Sequence, residues 1–247
     1  TLTINVADVS ISGTETTETV YEAGLSTGTN PGTSDQVING NLTLADGITV
    51  EAQNGTASFG TWSIDANGKF NYTLTTKTTD VDSVDETDSF TYTAKDANGN
   101  TVTNTVTITI VDDAPVAVAD TGSVTEGATL TVAAANGVLA DDTAGADGWD
   151  SAGGVVGVAT GTTGTNLDGT GVATAITGTY GTLTLAADGS YTYVATANAI
   201  TADAQDVFTY TVKDSDGDLT NTTLTINVAD VSISGTETTE TVYEAGL

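Results

Sequence analysis

Apolar and polar residues alternate with a period of two along most of this chain. Phe90, Tyr92 and Ala94 alternate with polar partners, as do Phe208, Tyr210 and Val212. Val102, Val106, Ile108 and Ile110 continue the pattern, matched by Leu224, Ile226 and Val228. Residues two apart share one face of a strand, so each run predicts a strand with one buried face. No stretch sustains the 3.6-residue period of a helix. Hairpins are predicted where Asn67-Gly68, Asn98-Gly99, Asp188-Gly189 and Asp216-Gly217 interrupt the alternation. Asp65 and Asp188, in two-residue hairpins, are read as turn residues.

The chain also repeats itself. Residues 223–247, TLTINVADVSISGTETTETVYEAGL, copy residues 1–25 letter for letter at an offset of 222. A weaker repeat lies inside that period. FGTWSIDANGKFNYTL (59–74) matches YGTLTLAADGSYTYVA (180–195), and DSFTYTAKDANGNTVTNTVTITIVDD (88–113) matches DVFTYTVKDSDGDLTNTTLTINVAD (206–230). The expected organisation is two related domains, 9–112 and 113–230. Residues 1–8 would be the last strand of a preceding repeat and 231–247 the first strand of a following one. Such arrays are quasi-one-dimensional, each unit touching only its neighbours. About seven short strands per unit of roughly 110 residues predict an all-β fold. The expected architecture is two tandem immunoglobulin-like Greek-key β-sandwiches in an elongated rod. The Cys–Trp–Cys core signature of antibody domains is absent, so only that architecture is implied.

Composition narrows the function. Threonine is the commonest residue, and β-branched types favour a pleated, half-buried surface. The formal net charge is −29, with only four Lys+Arg, no His, no Cys and no Met. The four cations, Lys69, Lys77, Lys95 and Lys213, are scattered, which argues against nucleic acid and anionic membranes as partners. No apolar run approaches the roughly 20 residues of a membrane span. Acidic self-repulsion opposes compaction unless counter-ions relieve it, and there are no disulfides to cross-link the chain. Calcium would answer both needs.

The segment DDAPVAVADTGSVTEGATLTVAAANGVLADDTAGADG (112–148), with YGTLTLAADGSYTY and DVFTYTVKDSDGD, resembles the bacterial cadherin-like or VCBS-type repeat. VYEAGLSTGTNPGTSDQVINGNLTLADGI (20–48) is similar to the companion repeat of giant adhesins exported by type I secretion. The resemblance implies calcium-dependent extender domains of RTX-type adhesins, secreted to the bacterial cell surface and acting in attachment and biofilm formation. Their partners would be neighbouring repeats of the same chain, with a glycan or host-surface ligand elsewhere in the full protein. A Gly/Thr-rich insertion (152–179) departs from the pattern, and its role stays open.

Topology sorts the candidate calcium ligands. Calcium takes six to eight oxygens from carboxylates, amides and carbonyls. In an antiparallel sandwich the hairpin before the last strand sits at the entry pole. That places Asp214, Asp216 and Asp218 beside Asp112 and Asp113. The acidic loop Asp141, Asp142, Asp147 and Asp150 is expected at the same pole. Glu22, after the first strand of domain 1, lies at that domain's exit pole and faces the same junction. The ligand sets that bracket eukaryotic cadherin linkers suggest the same logic. By the same argument Glu126 pairs with Asp230 at the next junction, while Asp96, Asn98 and Asn100 face Asp8 at the previous one. The loop DANGN carries fewer charges than DSDGD, so its site is expected to be weaker or absent. Affinity near 10⁻⁴–10⁻³ M is expected, as for extracellular modules.

Plainer readings compete. D-x-D-G-D and D-A-N-G-N are also good turn sequences, and neither has EF-hand spacing. The run VDSVDETD (81–88) reads as a solvated connection. Enzymatic function is disfavoured: no catalytic pair stands out, and there is no His, Cys or G-x-S-x-G elbow. Trp149, between Asp147 and Asp150, suits a calcium-dependent glycan-binding module, or simply covers an apolar edge. Trp62 matches Leu183 across the repeat and reads as core. A third reading is a self-assembling matrix fibre, in which residues 1–8 pair in trans.

Overall fold

The computed structural model describes residues 16–79 and 86–231. Asp8, the segment 1–8 and the segment 232–247 lie outside the described residues, as do 81–85 of the acidic run.

The first half carries β1 (Thr16–Tyr21), β2 (Val37–Asn41), β3 (Thr49–Val50), β4 (Gln53–Thr56), β5 (Gly60–Ile64), β6 (Lys69–Leu74), β7 (Glu86–Lys95) and β8 (Thr101–Val111). The second carries β9 (Asp120–Thr125), β10 (Thr129–Val132), β11 (Val155–Thr160), β12 (Ile176–Thr177), β13 (Gly181–Leu185), β14 (Tyr191–Ala195), β15 (Ala204–Lys213) and β16 (Leu219–Ala229). The sheets β1-β8-β7-β3 and β2-β6-β5-β4 form one sandwich; β9-β16-β15-β11 and β10-β14-β13-β12 form the other, strand for strand in the same order. Each sandwich has one strand more than the seven expected, because β3 and β12 are only two residues long and leave no period to read. The fold is all-β, two tandem immunoglobulin-like sandwiches.

In each sandwich the first strand pairs parallel with the last. Thr16–Tyr21 lie beside Val106–Val111, and Asp120–Thr125 beside Leu224–Ala229. The chain therefore enters each unit at one pole and leaves at the other. The alternating residues do form the cores. Phe90, Tyr92, Ala94, Val106, Ile108 and Ile110 are buried in the first, and Phe208, Tyr210, Val212, Leu224, Ile226 and Val228 in the second. Trp62 stacks on Phe90 with ring centroids 4.5 Å apart, a core role as expected.

All four expected hairpin turns form, with Gly68, Gly99, Gly189 and Gly217 at positive φ. Their length differs from the sequence reading. Gly68 N–H bonds Asp65 O and Asp65 N–H bonds Lys69 O, which makes a three-residue loop closed by a left-handed glycine. Asp65 Oδ1 accepts the N–H groups of Asn67 and Lys69, and Asp188 Oδ1 that of Ser190, so both aspartates shape turns.

The 152–179 insertion covers the outer face of β15. Thr163 N–H bonds Thr209 Oγ1 at 3.0 Å and Leu167 N–H bonds Thr211 Oγ1 at 2.8 Å. Both threonines are fully buried, whereas their counterparts Thr91 and Thr93 are not. Close approach requires Gly157, where an added Cβ would stand 2.3 Å from Leu167 O.

The end of the acidic run is not solvated. Asp88 is buried and accepts the N–H groups of Ser58 and Phe59 and the Tyr72 hydroxyl at 2.7 Å. Asp206 repeats the arrangement with Thr179, Tyr180 and the Tyr193 hydroxyl at 2.6 Å. Burial pushes the Asp88 carboxyl up. The Phe59 N–H, the Tyr72 hydroxyl and two further N–H groups outweigh it and hold the carboxyl below its ordinary range. Each aspartate ties the turn before β5 or β13 to the opposite sheet. Asp206→Ala orphans three donors, two of them backbone, and is expected to cost about 3–5 kcal/mol at roughly 1–3 kcal/mol for each buried group left unpaired. Tyr193→Phe should cost about 1 kcal/mol. Denaturant unfolding of both variants checks the difference.

Candidate metal centre at the domain seam

Because β1 and β8 run in parallel register, with Tyr21 opposite Val111, the residues that follow them emerge side by side. Those residues are Glu22, in the single-turn 3₁₀ helix Glu22–Gly24, and Asp112. Glu22 is fully buried, and its Oε1 accepts Thr78 N–H at 2.5 Å and Thr78 Oγ1 at 2.7 Å. The Thr78 hydroxyl also contacts Glu86. Glu22 is thereby fixed from one side.

The second sandwich contributes two loops. Ser215 Oγ donates to Asp147 O at 2.8 Å and Ser215 N–H to Gly148 O at 2.8 Å, which locks the 141–150 loop onto the β15–β16 hairpin. Asp147 is thereby carried to the seam. One carboxylate oxygen from each of Glu22, Asp112 and Asp147 lies within 4.8 Å of the others, so the first unit, the linker and the second unit each supply one. Glu22 Oε2, both oxygens of Asp112, Asp147 Oδ2 and Asp214 Oδ2 are buried and have no hydrogen-bond partner. Glu22, Asp147 and Asp214 are each more than nine-tenths buried.

Three of the aspartates resist ionisation. Burial, then the close approach of the Asp218 carboxylate and the charge of Asp216, pushes the Asp112 carboxyl up to about 8. Burial also raises Asp214 to about 7, against the opposing N–H of Gly217. Asp147 rises to about 6 through burial, opposed by a hydrogen bond from Lys77. The cluster has the oxygen donors and missing positive charge that suit a hard divalent cation.

The structure therefore brings together Glu22, Asp112, Asp147, Asp214, Asp216 and Asp218. It places the other candidates elsewhere. Asp113 is spent on protein donors: its Oδ2 accepts the N–H groups of Thr29 at 2.7 Å and Ala146 at 3.0 Å, and its Oδ1 contacts the Thr29 hydroxyl. It clips the two units together directly. Asp142 turns from the seam, accepting Val118 N–H at 2.7 Å and lying 3.1 Å from the Tyr210 hydroxyl. That hydroxyl also donates to Asp120, 2.8 Å away. Burial first, with nearby Asp141 contributing, raises Asp120 and Asp142 to about 6. Asp141 and Asp142 thus belong to this separate group. Asp150 Oδ1 caps a turn at Ala152 N–H. Trp149 packs half-buried against the second core, with its backbone bridged to Asp214.

At the far pole of the second unit, Glu126 and Asp230 follow Thr125 and Ala229, which are register partners as Tyr21 and Val111 are. Burial and then the Glu126 charge raise the Asp230 carboxyl, and Asp203 joins them by accepting Asp230 N–H at 3.0 Å. In the hairpin of the first unit, Asp96 Oδ1 accepts the N–H groups of Asn98 and Asn100, and its Oδ2 accepts the Asn100 amide at 2.7 Å. Its expected partner Asp8 is among the residues not described.

Sequence reasoning missed Lys77, Thr29, Asp120, Tyr210 and Asp203. Lys77 Nζ reaches Asp147 Oδ1 at 2.7 Å and Asp147 O at 3.0 Å across the seam. A lysine in a chain of net charge −29 must stand near some carboxylate, but nothing local in the sequence says which.

Two family profiles match the chain: the bacterial Ig domain over residues 3–109 and the bacterial cadherin-like domain over residues 112–230. No curated protein matches it. Among solved structures it is similar to Drosophila N-cadherin EC1-4, at 14% identity over 88% of this chain and 48% of that one, with a TM-score of 0.35. Human mucin-like protocadherin EC1-2 matches at 14% identity over 90% of this chain and 99% of that one, TM-score 0.31. The mouse protocadherin-24 EC1-3 match has 13% identity, 90% and 70% coverage and a TM-score of 0.31. The chain spans about half the length of the N-cadherin fragment. No helix among the described residues is long and apolar enough to cross a membrane. The chain is a tandem pair of bacterial repeats, an Ig-like unit followed by a cadherin-like unit.

Proposed function

We propose that this chain is a calcium-rigidified extender segment of a large, repetitive, secreted bacterial surface adhesin, acting as a spacer in attachment and biofilm formation. One observation carries the reading. Buried, partnerless carboxylate oxygens of Glu22, Asp112 and Asp147 converge from both units and the linker. Bound there, calcium supplies the positive charge that the gathered carboxylates lack. Glu22 and Asp112 are rooted in the β1–β8 end of one sandwich, Asp147 and Asp214 in loops of the other. A ligand shared between them fixes the angle between the units. Interdomain seams that lack such a tie hinge by default. The lack of a catalytic constellation among the described residues, and the repeated framework, support a structural role over an enzymatic one.

Small-angle scattering and calorimetry of the chain, in millimolar calcium and then in chelator, test this. At a calcium concentration about 100-fold above Kd, binding adds about 2.7 kcal/mol, which raises the melting temperature of the affected unit by on the order of 10 °C. Maximum dimension should increase at the same time. If neither quantity responds, the calcium reading fails. Glu22→Gln and Asp112→Asn should each abolish most of the response. Asp216→Asn with Asp218→Asn recreates the amide pattern of residues 96–100, so it should raise metal-free stability while removing the calcium effect.

The raised carboxyls also set a pH dependence. Folded-state values of about 8, 7 and 6 for Asp112, Asp214 and Asp147 stand above the ordinary 3.8, so the folded chain binds the extra protons. Stability is then greatest in acid and is lost as pH rises through those values. Asp88, Asp96 and Asp188 are shifted the other way, below 3.8, and add no slope above about pH 5. In chelator the melting temperature should therefore fall between about pH 5 and 8; saturating calcium should reduce the slope to the part that Asp120 and Asp142, raised to about 6 away from the seam, contribute.

A further inference from the structure

Lys77 is one of only four cations in the chain, and it stands at the seam where both units crowd carboxylates together. Its ammonium is 2.7 Å from Asp147 Oδ1, with 39% of the lysine side chain exposed against 1% for the aspartate. The other Asp147 oxygen, Oδ2, has no partner. Lys77 therefore occupies one edge of a carboxylate whose side chain also belongs to the cluster with Glu22 and Asp112. The next residue, Thr78, holds Glu22 through both its N–H and its hydroxyl. A single dipeptide of the first unit thus positions one carboxylate of its own unit and grips one of its neighbour.

We propose that Lys77 is a tethered counter-ion. It holds the two units in contact when divalent cation is scarce, and by its charge it sets how much calcium is needed to occupy the seam. This rests on the calcium reading above. Beside the charge that Asp214, Asp216 and Asp218 add nearby, the three clustered carboxylates of Glu22, Asp112 and Asp147 and the Lys77 ammonium sum to a formal −2. Without Lys77 the same carboxylates carry −3 and attract the ion more strongly, but repel one another more when it is absent. The lysine trades affinity for cohesion, so calcium completes a seam already aligned instead of assembling one from separated units.

Titration calorimetry with calcium chloride on the native chain, Lys77→Gln and Lys77→Arg tests this. Lys77 is outside both cores, so the variants are expected to fold, and the arginine keeps the charge. Removing a unit positive charge one carboxylate away from a divalent ion is worth about tenfold in a water-like dielectric. Lys77→Gln should therefore bind calcium about tenfold more tightly than the native chain, yet melt earlier in chelator. Lys77→Arg should match the native chain in both. If Lys77→Gln binds with unchanged or weaker affinity while the native chain does bind, Lys77 is a packing contact only and this proposal alone falls. If the native chain takes up no calcium, both readings fall together.

Discussion

The parallel pairing of the first strand with the last is the constraint on which the rest of the structure depends. In β1 with β8, and again in β9 with β16, two strands that are distant in sequence end at the same level of the same pole. Whatever residue follows each one is then delivered to the seam beside its neighbour. Glu22 and Asp112 are so delivered at one pole, and Glu126 and Asp230 at the next. No loop has to be placed with care for this to happen, because the ladder hydrogen bonds and the alternating core side chains set the register. A slip of one residue would turn Val106, Ile108 and Ile110 out of the core, so the register is held by burial. The acidic pair inherits that precision from the apolar core.

What holds the units together at the seam is small and polar. Ala146 of the second unit packs into the core cluster of the first, and Asp113 collects donors from Thr29 on one side and Ala146 on the other. Neither contact removes the penalty of gathering carboxylates under a common cover. Burying a charge without a partner is among the most expensive things a fold can do, and the usual escape is protonation. The upward shifts of Asp112, Asp214 and Asp147 are that escape. A divalent cation offers another exit that keeps every carboxylate ionised and joins the two units as well.

Much of this was legible in the sequence, and the exceptions share one physical reason. Period-2 alternation located the long strands, glycine-bearing turns located the hairpins, and chain direction alone carried Glu22 and the Asp214–Asp218 hairpin to the linker. Direction cannot, however, say which way a side chain turns within its loop. Asp142 and Asp147 belong to one acidic loop, yet Asp142 points to Tyr210 and Asp147 to the seam, because Ser215 and Val118 grip different parts of that loop. The donors of Asp113 were hidden for a related reason. A carboxylate beside a linker looks like a ligand until its donors are known, and those come from Thr29, 84 residues away. Asp88 and Asp206 look solvated by the company they keep in sequence. Only the opposite sheet, with its tyrosine hydroxyl, shows them to be internal struts.

The two hairpins that close the long strands show how small a chemical change separates a turn from a ligand set. Asp96 and Asp214 open equivalent hairpin loops, each accepting two backbone N–H groups on Oδ1, those of Asn98 and Asn100 in the first and of Gly217 and Asp218 in the second. In the first, position 100 is an asparagine whose amide donates to Asp96 Oδ2, and the loop satisfies itself. In the second, position 218 is an aspartate with no proton to give, and Asp214 Oδ2 is left buried without a donor. The two loops close equivalent hairpins, and without a cation the carboxylate version is the costlier one. Exchanging an amide for a carboxylate turns a closed hydrogen-bond circuit into an open one, and an open circuit of buried acceptors is completed only by a proton or a cation. A strand-for-strand repeat can in this way carry seams of different character on one scaffold, the difference resting on a few atoms at the tips of two equivalent loops.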